Sequence, residues 1–126
     1  MKPNATELEI LKLLWQQQPR TARDIHQQIE QLFHWSYSST RKTLDRMSDK
    51  GFVAIGEQGH KKSYLATVEK VPTLAAYMQE FAKNILELDG PLPVAMLADS
   101  RLIENEELDE LEALLDKLAK EDKEVK

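Results

Sequence analysis

Apolar residues recur at helical spacing in three short segments of the first fifty residues. Each segment begins with a residue that commonly caps a helix, namely Asn4, Thr21 or Ser36. Glu7 follows Asn4 by three positions and completes the pattern of a capping box. The apolar stripes comprise Leu8, Leu11 and Trp15, then Ala22, Ile25, Ile29 and Leu32, then Tyr37, Thr40, Leu44 and Met47. The pattern predicts three amphipathic helices, the third ending at a left-handed Gly51.

The apolar period shortens after Gly51. Residues 52–55 form one candidate strand and residues 61–67 form the return strand, with residues 56–59 as the turn between them. The pattern predicts a β-hairpin whose tip carries basic side chains.

Helical spacing resumes near Pro72 and is interrupted at residues 89–93, which contain one glycine and two prolines. A short segment over residues 94–103 leads into a final helix whose leucines follow a 3-4-3 spacing between acidic residues. The C-terminal region is therefore predicted to be helical. Only residues 121–126 are expected to be unstructured.

The order of three short helices followed at once by a hairpin is typical of a winged helix-turn-helix, whose third helix enters the major groove of DNA. Such a helix exposes hydrogen-bonding side chains, because base edges are read by donors and acceptors. On the hairpin, basic residues would meet the DNA backbone. The predicted DNA-binding residues are Ser36, Ser38, Ser39, Arg41, Lys42 and Arg46 on the third helix, and His60, Lys61 and Lys62 on the hairpin.

Other interpretations of these residues remain open. Mixed charge on a helix is often a solvated face, and Asp45 and Asp49 would repel phosphate unless they pair with neighbouring cations. Charges on a hairpin edge also discourage aggregation. A winged-helix protein-protein interaction module without DNA binding is therefore the alternative function.

Charge divides the chain into two parts. The formal net charge is −5, yet residues 1–70 hold 11 Lys and Arg against 8 Asp and Glu, whereas residues 71–126 hold 6 against 14. A mildly basic region is thus joined to an acidic one, which suggests two roles. We predict a mainly α fold with a small β-hairpin wing: a winged helix-turn-helix DNA-binding domain over residues 1–70 and a helical dimerisation domain over residues 71–126.

An apolar seam in the C-terminal region can pack on the same chain or on a second one. A homodimer is favoured, because dimeric helix-turn-helix proteins read paired half-sites. The predicted dimerisation residues are Leu74, Tyr77, Phe81, Ile85, Leu88, Leu108, Leu111, Leu115 and Leu118.

Composition excludes several kinds of site. The chain has no cysteine, which removes disulfides, thiolate zinc sites and cysteine nucleophiles. It has no metal-binding His-Glu-x-x-His pair and no phosphate-binding glycine loop, so we predict no enzyme activity, no cofactor and no metal. No stretch approaches the roughly twenty apolar residues of a membrane-spanning helix, and the N-terminus has no apolar signal segment. We therefore expect a cytoplasmic protein without membrane insertion.

Residues 6–15 resemble the opening segment of the penicillinase repressor family, the BlaI/MecI/CopY group of bacterial winged helix-turn-helix transcriptional regulators. The order of the C-terminal elements is also similar, so the resemblance covers nearly the whole chain. The other residues that carry it are Trp35, Ser36, Leu44, Arg46, Lys50 and Gly51 in the third helix, and Gly59 and Tyr64 in the hairpin.

The resemblance implies a homodimeric repressor whose C-terminal helices interlock and whose two N-terminal domains bind a palindromic operator. It also implies proteolysis by a membrane-bound sensor metallopeptidase, with residues 96–100 falling in the family's cleavage region. Ser39, Thr40 and Lys42 depart from the family's usual residues, so the operator sequence does not carry over. The absence of cysteine excludes copper sensing by the family's cysteine-bearing branch.

Overall fold

A computed structural model describes residues 1–124 of the protein. The chain divides into two compact units, residues 3–69, which we call the head, and residues from Lys70 onward, which we call the tail. Each unit has its own hydrophobic core.

The head contains three helices and a small sheet. Its elements, in order, are α1 (Ala5–Gln16), β1 (Arg20–Thr21), α2 (Ala22–Phe33), α3 (Tyr37–Lys50), β2 (Val53–Gln58) and β3 (Lys61–Ala66). The predicted caps are confirmed: Asn4 and Glu7 form the capping box of α1, and Thr21 and Ser36 accept the backbone N–H groups of Asp24 and Ser39. Gly51 ends α3 with a φ of 83°.

The sheet has three antiparallel strands in the order β1-β3-β2. The sequence predicted the hairpin but placed its turn wrongly at residues 56–59. Strand β2 runs on to Gln58, which pairs with Lys61, so the turn consists of Gly59 and His60. Gly59 has a φ of 68°, a conformation that glycine adopts without strain. Strand β1 was not predicted, because two residues carry no periodicity.

The core of the head is formed where all three helices meet the sheet. Trp15 and Trp35 pack against it, and both also donate a hydrogen bond through their indole N–H groups. Trp15 donates to the Val68 carbonyl over 3.0 Å, and Trp35 donates to Thr40 Oγ1 over 2.9 Å. The fully buried residues of this core include Ile10, Leu11, Leu14, Ile25, Leu44 and Met47.

One buried carboxylate ties the start of α1 to the end of α3. Glu7 is 1% exposed, and its Oε1 accepts the Asn4 backbone N–H over 2.9 Å. Its Oε2 accepts Lys50 Nζ over 2.8 Å, across 43 positions of sequence. The carboxylate is thus compensated at both oxygens, as a buried charge requires.

The tail contains α4 (Lys70–Glu80), which continues through a π-helical turn (Phe81–Ile85), and α5 (Leu108–Glu124). Two 3-10 turns lie between them, Val94–Leu97 and Asn105–Glu107. The expectation of an unstructured end from residue 121 is wrong as far as Glu124, because α5 extends to that residue; Val125 and Lys126 lie outside the described residues. The tail core consists of Val71, Ala75, Leu111 and Leu115.

Candidate nucleic-acid interface

Helix α3 has one buried face and one exposed face. Thr40, Leu44 and Met47 lie in the core of the head and are essentially inaccessible. The opposite face is polar and comprises Ser38, Arg41, Lys42, Asp45, Arg46 and Asp49, all exposed. Four of the residues predicted to bind DNA therefore share one accessible helix face.

Two predicted residues of α3 are engaged in its cap. Ser36 is the N-cap, and its Oγ accepts the Ser39 backbone N–H over 3.2 Å. The two hydroxyl oxygens also lie 3.2 Å apart. Ser36 is exposed and Ser39 is half-buried, so these serines set the start of the helix more than they extend its outer face.

A polar network fixes α3 on the rest of the head. Thr40 Oγ1 receives the Trp35 indole N–H and lies 2.8 Å from Nδ1 of His26, which is 7% exposed. At the next turn, Thr43 donates its hydroxyl to the Ser39 carbonyl and accepts Arg46 Nη2 over 3.3 Å. The Thr43 bonds are internal to α3, whereas the contacts of Thr40 reach His26 of α2 and Trp35 before α3; because hydrogen bonds are directional, these contacts restrain the rotation of α3 about its axis.

The cations of the head fall into two groups. Lys12, Arg20 and Lys50 each form an ion pair with a carboxylate at 2.8 Å. Within the described residues, the other six head cations have no ion-pair partner, and all lie on α2, on the outer face of α3 or on β3. The six are Arg23, Arg41, Lys42, Arg46, Lys61 and Lys62.

Asp45 and Asp49 do not pair with these cations in the part of the chain that the structure describes. Their charge therefore opposes that of the arginines and lysine beside them. Six cations still outnumber the two carboxylates, so the combined surface of α2, α3 and β3 favours an anion.

The basic tip of the hairpin is fully accessible. His60 lies in the turn, and Lys61 and Lys62 open β3 opposite Gln58 and Glu57. All three side chains are exposed. They can reach a backbone phosphate without displacing another contact.

A pocket of about 420 Å³ joins α2, α3 and the hairpin. No acidic residue lines it. Arg23 was not predicted, but its guanidinium carbon lies 4.0 Å from the ring centroid of Tyr37. The sequence did contain a signal for Arg23. The helix dipole disfavours a cation in the first turn of a helix, so an arginine there indicates a role other than stabilising the helix. The lining residues are Thr21, Ala22, Arg23, Tyr37, Arg41, Lys61, Lys62 and Tyr64.

Tyr64 is an aromatic wall of this pocket and is 2% exposed. Burial raises the pKa of its hydroxyl, the charge of Asp45 raises that pKa further, and the charge of Arg41 partly offsets the rise. The phenol therefore stays protonated at neutral pH and remains a hydrogen-bond donor.

The predicted dimerisation residues occupy different environments in the tail. Phe81, Ile85 and Leu88 are exposed, at 43%, 67% and 44%. Tyr77, Leu108 and Leu118 are half-buried, whereas Leu74, Leu111 and Leu115 are buried. Leu111 and Leu115 pack within the chain against Val71 and Ala75 of α4. The structure also exposes Leu86 and Met96, which the sequence did not single out.

The described residues include no cluster of three or more His, Asp or Glu side chains arranged to hold a metal ion. None of the helices within residues 1–124 is both long and apolar enough to cross a bilayer.

The sequence profile of the penicillinase repressor family matches residues 4–117, which include both units. The chain is also similar to an uncharacterized 16.5 kDa protein in the ptsI 3' region of Latilactobacillus sakei. The two are 21% identical over 110 residues, covering 87% of this chain and 75% of that protein.

Proposed function

Because the chain belongs to the penicillinase repressor family, we propose that this transcriptional regulator represses its target by binding an operator in duplex DNA through the head. A repressor acts where the chromosome lies, so its site of action is the cytoplasm. The operator is palindromic in this proposal, because two copies of the head read two half-sites.

The division of the head cations into two groups carries the proposal. Three cations are neutralised by carboxylates, and six that have no ion pair within residues 1–124 lie on α2, the outer face of α3 and β3. Binding to DNA is driven by cations that displace counterions from phosphates, so cations that are already paired contribute little.

Arg41 and Arg46 are the proposed DNA-contacting arginines of α3, since an arginine fork matches the two acceptors of guanine and equally binds two oxygens of an adjacent phosphate. Lys42 and Ser38 support them from the same face. Lys61 and Lys62 of β3 contact phosphates, which position the head without reading sequence.

The test is DNA binding by fluorescence anisotropy, using the fragment upstream of the protein's own gene. Wild-type affinity is expected to fall steeply with salt. Combining Arg41→Ala with Arg46→Ala should weaken specific binding by at least roughly 30-fold, since each such contact discriminates by about 1–3 kcal/mol. The matched control combines Arg101→Ala with Lys120→Ala, two exposed tail cations without ion pairs among the described residues. Undetectable or salt-independent wild-type binding contradicts the proposal.

We also propose that the tail forms the homodimer. Its support is the apolar surface of the segment after α4, where Phe81, Ile85, Leu86 and Leu88 are each more than 40% exposed. Apolar surface concentrated in one segment is characteristic of an interface. Two copies joined there would present two heads to one operator.

Sedimentation equilibrium tests the dimer. Ile85→Asp is expected to shift the protein to monomer, because a carboxylate in an apolar interface loses its hydration. Leu32→Asp is the matched control, because Leu32 is 58% exposed but lies on α2 of the head. The molar mass of this variant in solution should equal that of the wild type. Monomeric wild-type protein, or identical masses for both variants, contradicts the tail interface.

Regulation by a membrane-bound sensor metallopeptidase completes the proposal. Its target segment is residues 94–103, where Ala95, Met96 and Ala98 are exposed. Incubation with membranes carrying such a peptidase, followed by mass spectrometry of the fragments, tests this. Cleavage confined to other segments contradicts it.

A further inference from the structure

The pocket between α2, α3 and the hairpin combines cations from three separate elements. Arg23 comes from α2, Arg41 from α3, and Lys61 and Lys62 from β3. None of the four has an ion-pair partner within residues 1–124. Four like charges around one cavity repel each other, so the arrangement favours an anionic occupant.

Arg23 is held in a defined position although it is exposed. Its guanidinium stacks on the Tyr37 ring at 4.0 Å, and Tyr37 in turn meets the buried His26 edge-on, with 5.5 Å between ring centroids. Stacking over an aromatic face leaves the in-plane N–H donors of the guanidinium available. These donors can bind two oxygens of one tetrahedral anion.

We propose that this pocket is a phosphate-binding site, and that Arg23 is one of its binding residues. The inference rests on the proposed function in one respect: the main source of the phosphate is the DNA backbone beside the groove that α3 enters. Arg23 and Arg41 bind the phosphate oxygens from α2 and α3, and Lys61 and Lys62 close the site from the hairpin. The same phosphate chemistry is present in small free phosphates.

The size and chemistry of the pocket suit this ligand. A volume of about 420 Å³ admits a phosphate group together with its ester linkages and some water. The lining offers arginine forks and lysine ammonium groups, both of them donors to phosphate oxygens. No lining side chain is a carboxylate that would repel the ligand.

The test compares Arg23→Ala with Arg101→Ala in the full-length protein. Both remove one exposed arginine, but Arg101 lies in the tail. DNA affinity is measured against salt by fluorescence anisotropy, and binding of inorganic pyrophosphate is measured by isothermal titration calorimetry. Tryptophan fluorescence checks folding, since Trp15 and Trp35 both pack on the head core.

Arg23→Ala is expected to weaken DNA binding roughly 10-fold, because a charge-assisted contact is lost. It should also reduce the slope of log K against log salt by about one for each bound head. Arg101→Ala should change neither quantity. Unchanged DNA binding with loss of the pyrophosphate signal supports the site with small phosphates as its ligand. Unchanged binding of both ligands overturns the inference.

The outcomes separate this inference from the proposed function. Wild-type protein that binds no DNA contradicts the repressor proposal, and the pyrophosphate titration then decides the pocket alone. If the wild type and Arg23→Ala bind DNA equally strongly and neither binds pyrophosphate, the repressor proposal stands and the phosphate-binding site is contradicted. Arg23→Lys should recover part of the affinity, since it restores charge without the guanidinium fork.

Discussion

The head and the tail bury and expose opposite kinds of side chain. In the head, all three helices contribute fully buried residues to one core, and the outer surface of α2, α3 and β3 carries cations that have no ion-pair partner in the described part of the chain. In the tail, four buried residues form the core cluster within the described part of the chain, and large apolar side chains such as Ile85 and Met96 are exposed at 67% and 65%.

This contrast indicates what each unit lacks when alone. The head buries most of its large apolar residues, although Leu32, Ile55 and Leu65 remain 40% or more exposed, and its outer cations lack counterions, so a polyanion complements it. The tail lacks cover for apolar area, and burial of such area contributes about 25 cal/mol per Å². In the proposed homodimer, a second copy of the chain supplies that cover without adding to the charge of the head. The two units are therefore complementary to different partners: the head to a polyanion, and the tail to a second apolar surface.

The largest expected effect is on the free energy of unfolding, from a substitution in the buried core of the head. Leu44→Ala removes a side chain that is 0% exposed and is expected to lower the free energy of unfolding by about 2–5 kcal/mol. Urea unfolding followed by tryptophan fluorescence measures it, since both tryptophans lie in the head. Ile85→Ala, in the tail, should change this transition by less than about 0.5 kcal/mol. Equal losses in the two variants would contradict the contrast between the units.

A smaller effect is expected when two ion pairs of the head are compared by what each contributes to the free energy of unfolding. Lys50→Ala leaves the buried Glu7 carboxylate without its cation and is expected to cost about 1–3 kcal/mol of unfolding free energy. Lys12→Ala removes the partner of Glu9, which is about a third exposed, and should cost less than about 0.5 kcal/mol. The same urea titration applies to both. Indistinguishable midpoints would show that burial of Glu7 does not strengthen its pair.

The smallest effect concerns the tail, where Glu107 accepts Lys70 Nζ over 2.9 Å. Burial alone would raise the pKa of Glu107, but the Glu104 backbone N–H and the Lys70 ammonium outweigh it and lower that pKa from its ordinary 4.5. A lowered pKa in the folded state means stabilisation above pH 4.5 that is lost as the pH falls through the folded pKa.

Glu107→Gln should therefore destabilise the tail at pH 7 by less than about 1 kcal/mol, because the carboxylate is a quarter exposed. Thermal melts followed by far-UV circular dichroism measure the difference from wild type. The difference should shrink as the pH is lowered to 3. A gap that widens at low pH would mean that folding raises the pKa of Glu107 instead of lowering it.

Local signals in the sequence predicted the elements of the head well. Asn4, Thr21 and Ser36 cap their helices and Gly51 terminates α3, because each acts on backbone groups within a few residues. The polar outer face of α3 was equally readable from its period. The family resemblance, which the profile match confirms, rested on these same segments.

Features formed by residues far apart in the sequence could not be predicted from local patterns. Strand β1 exists because Arg20 and Thr21 pair with Tyr64 and Ser63, more than forty positions away. The hairpin turn moved to Gly59 because pairing of β2 with β3 continues past Gly56. Arg23 became part of a candidate site only when α3 and β3 were brought beside it.

The sequence by itself determined most of the apolar face of each head helix, where those helices start, where α3 stops, and which charges lie on α3. Only the tertiary structure decided what covers each apolar face: Leu111 and Leu115 are covered by α4, whereas Phe81 and Ile85 remain open. The reason is that periodicity depends on neighbours within a turn or two, while burial and charge pairing depend on residues brought together from distant parts of the chain.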